Sequence, residues 1–426
     1  MQRPKHRTAA SGAEEGRNSA SLHPSRAARV GKAEPAAALR YPRSVLRAGT
    51  GVSSDPDPRA AAEQAVRRAA AGVGRADAGL LFATPAHRSQ MAPLLEVAMA
   101  GLGTRAVVGA TAHGVIGGGL EYEGGSAVSV LALSGLEVHP FLIADLAHDG
   151  ASVGEEIASQ LGGVPRPQDL VVLLPDPRAS RSGGFLDGVR EALGPARIVG
   201  AGAADPISDQ PLQWCGSEIE SGALAGIALR AAHVPRVGVT QACRPATELL
   251  TVTRAEQHWV LELDGRPALD VYREVVRGPL AEDLRRAAAF VLVALPRDPT
   301  APLEPGGYLV RNVAGFATER RAFALPEPLA RGEQIAFVER EPEAAREDLK
   351  RVLEQLGDRA PALGLYFDCC ARGASFFGIP GLEAAYLQNA LGDAPLTGMF
   401  GSCEIGPIAG RAELLTYTGV LALLDA

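Results

Sequence analysis

Short apolar runs alternate with longer amphipathic stretches along this chain, and the alternation repeats. Asp57 to Ala71, with acidic residues and Pro58 near its start, predicts a helix. Gly79-Leu80-Leu81-Phe82-Ala83 predicts a strand, Ser89 to Gly101 a second helix, Ala106 to Ala110 a second strand and Ala127 to Leu133 a third. The order recurs further on. Asp169 to Leu174 is a strand-sized run, Phe185 to Leu193 helical, Ile198 to Ala201 a strand into a small-residue loop, and Ala223 to Leu229 another strand. Near the end, Leu363 to Phe367, Gly381 to Leu391, Leu396 to Phe400 and Leu415 to Leu424 follow the same sequence of types. One unit, strand–helix–strand–loop–strand, therefore appears about three times. Its best anchor is the strand-to-loop corner: Val108-Gly109-Ala110-Thr111, Val199-Gly200-Ala201-Gly202 and Gly398-Met399-Phe400-Gly401.

A different stretch, Val234 to Arg340, separates the second unit from the third. It holds strand-like runs at Leu249 to Thr253, Trp259 to Leu263, Tyr308 to Val313 and Gln334 to Val338, a turn at Asp264-Gly265 and a helix over Ala268 to Val276. Pro342 to Leu356 is a further amphipathic helix. The fold expectation is α/β: mixed β-sheets flanked by helices, built from repeated units.

Composition narrows the classes. The chain has 426 residues, a net charge of −7 and no basic stripe of the kind that supplies nucleic-acid affinity. Five cysteines at 215, 243, 369, 370 and 403 form no CxxC and no regular framework, so reduced thiols and a cytoplasmic setting are expected. No apolar run reaches the roughly 18 residues a membrane helix needs. Residues 1–45 carry scattered Arg and Lys among Ser, Ala, Gly and Pro, and are expected to be a disordered basic tail.

The candidate chemistry sits at strand ends. Gly109 to Gly119 follows a strand and is rich in glycine, which lets backbone approach a ligand; Thr111, His113 and Gly114 are its candidate lining. It is neither a P-loop nor a dinucleotide fingerprint. Cys369, Cys370, Arg372 and Gly373 follow the strand over 363–367. There Arg372 is suited to an anion and Cys369 is the candidate nucleophile, with His113 and Glu404 the trio's other members. Glu404, between a glycine corner and Pro407, is a candidate acceptor for a ligand amine. No histidine pair has metal-ligand spacing.

Several of these segments resemble the FIST family. Val108 to Gly118 looks like the N-terminal FIST motif, and Gln241 to Pro245 followed by Leu261 to Ala268 is similar to that domain's closing segment. Tyr308 to Val313, Cys369 to Gly373 and Gly398 to Pro407 resemble motifs of the C-terminal FIST domain. The resemblance implies two FIST-type domains, over 46–240 and 241–426, and a stand-alone intracellular sensor. Such a sensor binds a small metabolite, an amino acid or similar anion, and signals through a partner protein without touching nucleic acid or membrane. No cofactor is expected, although one branch of the family binds haem and senses nitric oxide. The chain departs from the family pattern at His113, where an acid is expected, and at Cys370 and Cys403, where polar residues or glycine are expected. A cysteine-dependent enzyme using Cys369 is the rival expectation.

Overall fold

The computed structural model describes residues 45–426 except 145, 147–149 and 181–183, so the expected basic tail lies, but for Val45, outside the described residues. The first repeat runs β1 (Arg47–Ser53), α1 (Pro58–Ala70), β2 (Ala78–Ala83), α2 (Met91–Leu102), β3 (Val107–Thr111), β4 (Gly114–Gly117), β5 (Leu120–Glu123) and β6 (Val128–Ser134). The second runs β7 (Glu137–Ile143), α3 (Gly150–Gln160), β8 (Asp169–Pro175), α4 (Pro177–Ser180), α5 (Phe185–Leu193), β9 (Arg197–Ala201), β10 (Leu212–Cys215), β11 (Glu218–Ser221) and β12 (Leu224–Arg230). The third opens with β13 (Arg236–Gln241) and is then interrupted.

The interruption forms a sheet of its own from β14 (Cys243–Pro245), β15 (Leu250–Glu256), β16 (Trp259–Leu263), β17 (Arg266–Pro267), β18 (Val291–Pro296), β19 (Tyr308–Arg311), β20 (Gly315–Ala317), β21 (Ala322–Ala324) and β22 (Gln334–Arg340), with α6 (Ala268–Val275) and α7 (Leu284–Ala287) between β17 and β18. The third repeat resumes with α8 (Pro342–Leu356), β23 (Leu363–Cys369), α9 (Ala374–Phe377), α10 (Leu382–Leu391), β24 (Leu396–Gly401), β25 (Glu404–Ile408), β26 (Arg411–Leu415) and β27 (Thr418–Leu424).

Each repeat centres a six-stranded sheet on one parallel pair: β2 with β3, β8 with β9, β23 with β24. The orders are β1-β6-β2-β3-β10-β11, β7-β12-β8-β9-β25-β26 and β13-β27-β23-β24-β4-β5. Every sheet therefore takes its outer hairpin from another repeat, and the exchange closes on itself. The glycine-rich stretch after β3, read from sequence as a loop and turn, is the hairpin β4–β5, which pairs with β24 through Thr397↔Gly117 to Phe400↔Gly114.

Period-two alternation explains the packing. Leu80 and Phe82 of β2, Leu170, Val172 and Leu174 of β8, and Leu363, Leu365 and Phe367 of β23 enter one shared core where the three sheets meet. The residues between them face outward, onto α1 and α2, onto α3 and α5, and onto α8 and α10. Phe82 and Phe367 meet edge to face at 6.2 Å across two sheets. The corner glycines recur for a steric reason. A Cβ on Gly109, Gly200 or Gly398 would stand 1.7, 1.9 or 1.7 Å from the carbonyl oxygen of Leu81, Leu173 or Tyr366 in the parallel partner strand. Among the described residues no helix is long and apolar enough to cross a membrane.

Candidate functional site

The three corners after β3, β9 and β24 converge and are bonded to one another through backbone. Thr111 O accepts from Ala204 N at 2.9 Å, Phe400 O from His113 N at 3.0 Å, Gly202 O from Ser402 N at 3.0 Å and Cys403 O from Gly202 N at 2.8 Å. Segments far apart in sequence thus share one end of the three-sheet core. His113, Cys370 and Ser402 are half-buried at its rim.

Alternation divides the chemistry of the third repeat between the two faces of its sheet. Outward, beneath α10, Asp368 and Arg372 meet Glu383. Arg372 is 0% exposed. Its Nε lies 3.0 Å from Asp368 Oδ1 and 3.2 Å from Glu383 Oε2, its Nη2 donates to Glu383 Oε1 at 2.5 Å, and the Tyr366 hydroxyl donates to the same carboxylate at 3.2 Å. One cation faces two acids. Burial, and then the Glu383 carboxylate, push Asp368 well above the usual carboxylate range. Asp368 Oδ2 has no N–H or O–H donor, and a proton shared with Glu383 is the arrangement that leaves one negative charge for Arg372.

Inward, Cys369 and Glu404 stand together. Glu404, the first residue of β25, is fully enclosed; its Oε2 accepts from the Thr418 hydroxyl at 2.8 Å and the Thr418 amide at 3.3 Å, while Oε1 has no N–H or O–H donor. Burial, and then the adjacent Cys369, push its carboxyl well up. Gln213 occupies the matching place in the second repeat: it pairs with Ala110 of β3 as Glu404 pairs with Ala201 of β9. It too is fully buried. Its Oε1 accepts from Ala223 N at 3.3 Å, and its Nε2 has no partner. Trp214, its neighbour, packs on the helix side, so Gln213 faces inward.

Arg372 and Glu404, paired across one site in the sequence reading, therefore have separate partners. Thr111 is buried and bridges to Leu212, whose amide donates to its hydroxyl at 2.9 Å. Gly114 opens β4 against Phe400. Gly373 makes room for Glu123: a Cβ there would stand 1.9 Å from Glu123 Oε2, and Glu123 Oε1 accepts from Ala374 N at 2.7 Å. No histidine is among the groups that shift the Cys369 thiol.

Sequence reasoning missed Gln213, Asp368, Glu383 and Arg340. Arg340, at the end of β22, is half-buried, with its guanidinium 4.6 Å from the Phe376 ring centroid and 5.0 Å from that of Tyr417. It donates to the carbonyls of Ala289 and Ala371 at 3.1 and 2.6 Å, and no described carboxylate pairs with it. The surface clefts, such as those of about 170 Å³ beside Arg190 and Arg411 and about 430 Å³ beside Leu295 and Gln334, touch none of these residues.

Residues 77–266 match the FIST N domain and residues 268–407 the FIST C domain. An uncharacterised protein of Mycobacterium tuberculosis is similar at 30% identity over 387 residues, which cover 89% of this chain and 99% of that protein. An uncharacterised protein of Mycobacterium bovis is similar at 29% identity, with 89% and 98% covered. A solved cyanuric acid hydrolase from A. caulinodans aligns with 44% of this chain and 72% of its own at 14% identity and a TM-score of 0.24, too slight a likeness to carry fold or function across.

Proposed function

The chain belongs to the FIST family, whose domains are sensory, small-ligand-binding signal-transduction domains, and from that premise we propose that it senses a small amine-bearing metabolite of the amino-acid class and signals through a partner protein. What supports the reading is one pair of atoms. Gln213 Nε2 and Glu404 Oε1 are enclosed and face inward from equivalent places in two repeats; Nε2 has no acceptor, and Oε1 has no N–H or O–H donor and only the Cys369 thiol beside the carboxyl. A buried polar group left unbonded costs about 1–3 kcal/mol. A ligand that offers an acceptor to the amide and an ammonium to the carboxyl recovers that cost.

In this reading the ammonium meets Glu404, and the ligand's carboxylate turns toward Arg340, the rim guanidinium without an acid partner. Thr111, Gly114 and Gly373 hold the corners in register, while His113 and Cys369 line the approach. Arg372 holds the Cys369–Gly373 turn through its internal acids. Entry separates the Tyr417–Arg340–Phe376 stack. Because Arg340 belongs to the inserted sheet and Tyr417 to the three-sheet core, that separation shifts one against the other and offers a partner protein a changed surface.

A thermal-shift screen of amino acids and small amines tests this. A ligand at a hundred times its Kd is expected to add about 2.7 kcal/mol of stability. Glu404 must lose its proton to meet an ammonium, so affinity is expected to rise with pH, by at most about tenfold per pH unit. Glu404→Gln is expected to abolish both the binding and its pH dependence. The reading fails if no compound stabilises the protein, or if E404Q binds with an unchanged pH profile.

A further inference from the structure

Four cysteines that look scattered in sequence gather around the end of β23. Cys243 on β14, Cys369 at the end of β23, Cys370 after it and Cys403 before β25 all lie within electrostatic reach of Cys369 or Cys370, and none forms a disulfide. Cys369 and Cys370 have a specific arrangement. A tight turn, closed by Arg372 N donating to Cys369 O at 2.8 Å, carries both side chains, and Gly401 O fixes Cys370 by accepting from its amide at 2.9 Å. The two side chains neighbour each other across one peptide bond, and each thiol shifts the other, Cys369 upward and Cys370 downward. Cys369 is 4% exposed, whereas Cys370 is half-buried and open to small reagents.

We propose that Cys370 and Cys369 form an oxidant-responsive dithiol that a hydroperoxide converts to a vicinal disulfide. The half-buried Cys370 thiolate attacks the terminal peroxide oxygen and breaks the O–O bond, giving a Cys370 sulfenic acid and releasing the alcohol or water. The Cys369 sulfur then attacks the Cys370 sulfur, and the sulfenic oxygen leaves as water. Two thiols are oxidised by two electrons and one hydroperoxide is reduced. The neighbouring Cys369 thiol lowers the Cys370 thiol from its ordinary range, which favours the first step. Adjacent Cα atoms are about 3.8 Å apart, short of the roughly 4.4–6.8 Å that disulfides commonly span, so the bond is strained and easily reduced again. Its formation withdraws the thiol that faces Glu404. The inference stands apart from the metabolite reading, since it needs no ligand.

Cys215 supplies an internal standard: it is also half-exposed, but burial pushes its thiol up to about 11. The intact protein is titrated with hydrogen peroxide, quenched with N-ethylmaleimide in denaturant and mapped by peptide mass spectrometry. The expected result is loss of two hydrogens from the peptide holding Cys369 and Cys370, with Cys370 reacting about tenfold or more faster than Cys215 and dithiothreitol restoring both thiols. Cys369→Ser is expected to stop at a sulfenic acid that dimedone labels. Should that variant fail to fold, the map of the unaltered protein decides alone. Equal rates at Cys370 and Cys215, a bridge from Cys370 to Cys403, or direct passage to the sulfinic acid each overturns the proposal.

Discussion

A guanidinium enclosed with two carboxylates is held by charge balance, so the two kinds of partner respond unequally to substitution. Arg372→Met leaves Asp368 and Glu383 buried without a cation, and is expected to cost about 3–5 kcal/mol of stability in chemical denaturation. Asp368→Asn keeps the shape, and its amide donates to Glu383 where the shared proton stands, so a cost below about 1 kcal/mol is expected. Comparable losses in both variants would show that Asp368 is ionised. Motif position made Cys369, Arg372 and Glu404 legible in the sequence, but not their roles. A lone arginine after a strand looks like an anion site; only folding brings Glu383, on α10, against it. Gln213 was hidden for another reason. Its significance lies in its equivalence to Glu404, and the two are matched by strand pairing, with no similarity in the residues around them.

Most helices and the parallel strands could be read from periodicity, because each buries an apolar face within its own repeat. The outer hairpins could not. Val115 and Ile116 are two apolar residues among glycines, too few to announce a strand, and their partners Gly398 and Met399 lie in the third repeat. What secures this hairpin is partly a hydrogen-bonded carboxyl. Glu121 of β5 accepts from Gly381 N at 3.1 Å and from Ala384 N at 2.7 Å, at the start of α10. Burial, together with the nearby Glu383 and Glu123, raises its carboxyl from 4.5 to about 7. The folded protein therefore holds the Glu121 proton more tightly than the unfolded chain does. Its contribution to stability is full below pH 4.5 and is lost as pH rises through about 7. The loss is at most about 3 kcal/mol, since some solvent reaches the group. Subtracting the stability profile of Glu121→Gln from that of the unaltered protein is expected to isolate a decline between pH 4.5 and 7. A flat difference would mean that Glu121 ionises in the folded state as it does in water.

Cyclic exchange of hairpins has a consequence for the molecule as a whole. Removing the first repeat takes β4–β5 from the third sheet and leaves β10–β11 without β3; removing either other repeat does equivalent damage. No repeat can open without breaking pairing in two sheets, and all three inner faces share one apolar core. The inserted sheet is differently placed. It has its own core around Tyr272, Phe323 and Phe337, and it interrupts the third repeat between β13 and α8. Segments with private cores and few shared strands open separately, whereas interlocked ones open together. Native-state hydrogen exchange is therefore expected to give the amides of β2, β3, β8, β9, β23 and β24 one common opening free energy, equal to within about 1 kcal/mol. The slowest amides of β15, β16, β18 and β22 are expected to form a second, less stable group. A ligand that enters by parting the Arg340 stack should raise protection in the second group more than in the first, because it fixes the inserted sheet against a core that is already interlocked. Three separate plateaus for the three repeats would show that hairpin exchange does not couple them. A single plateau for every strand would remove the relative motion on which signalling is proposed to depend.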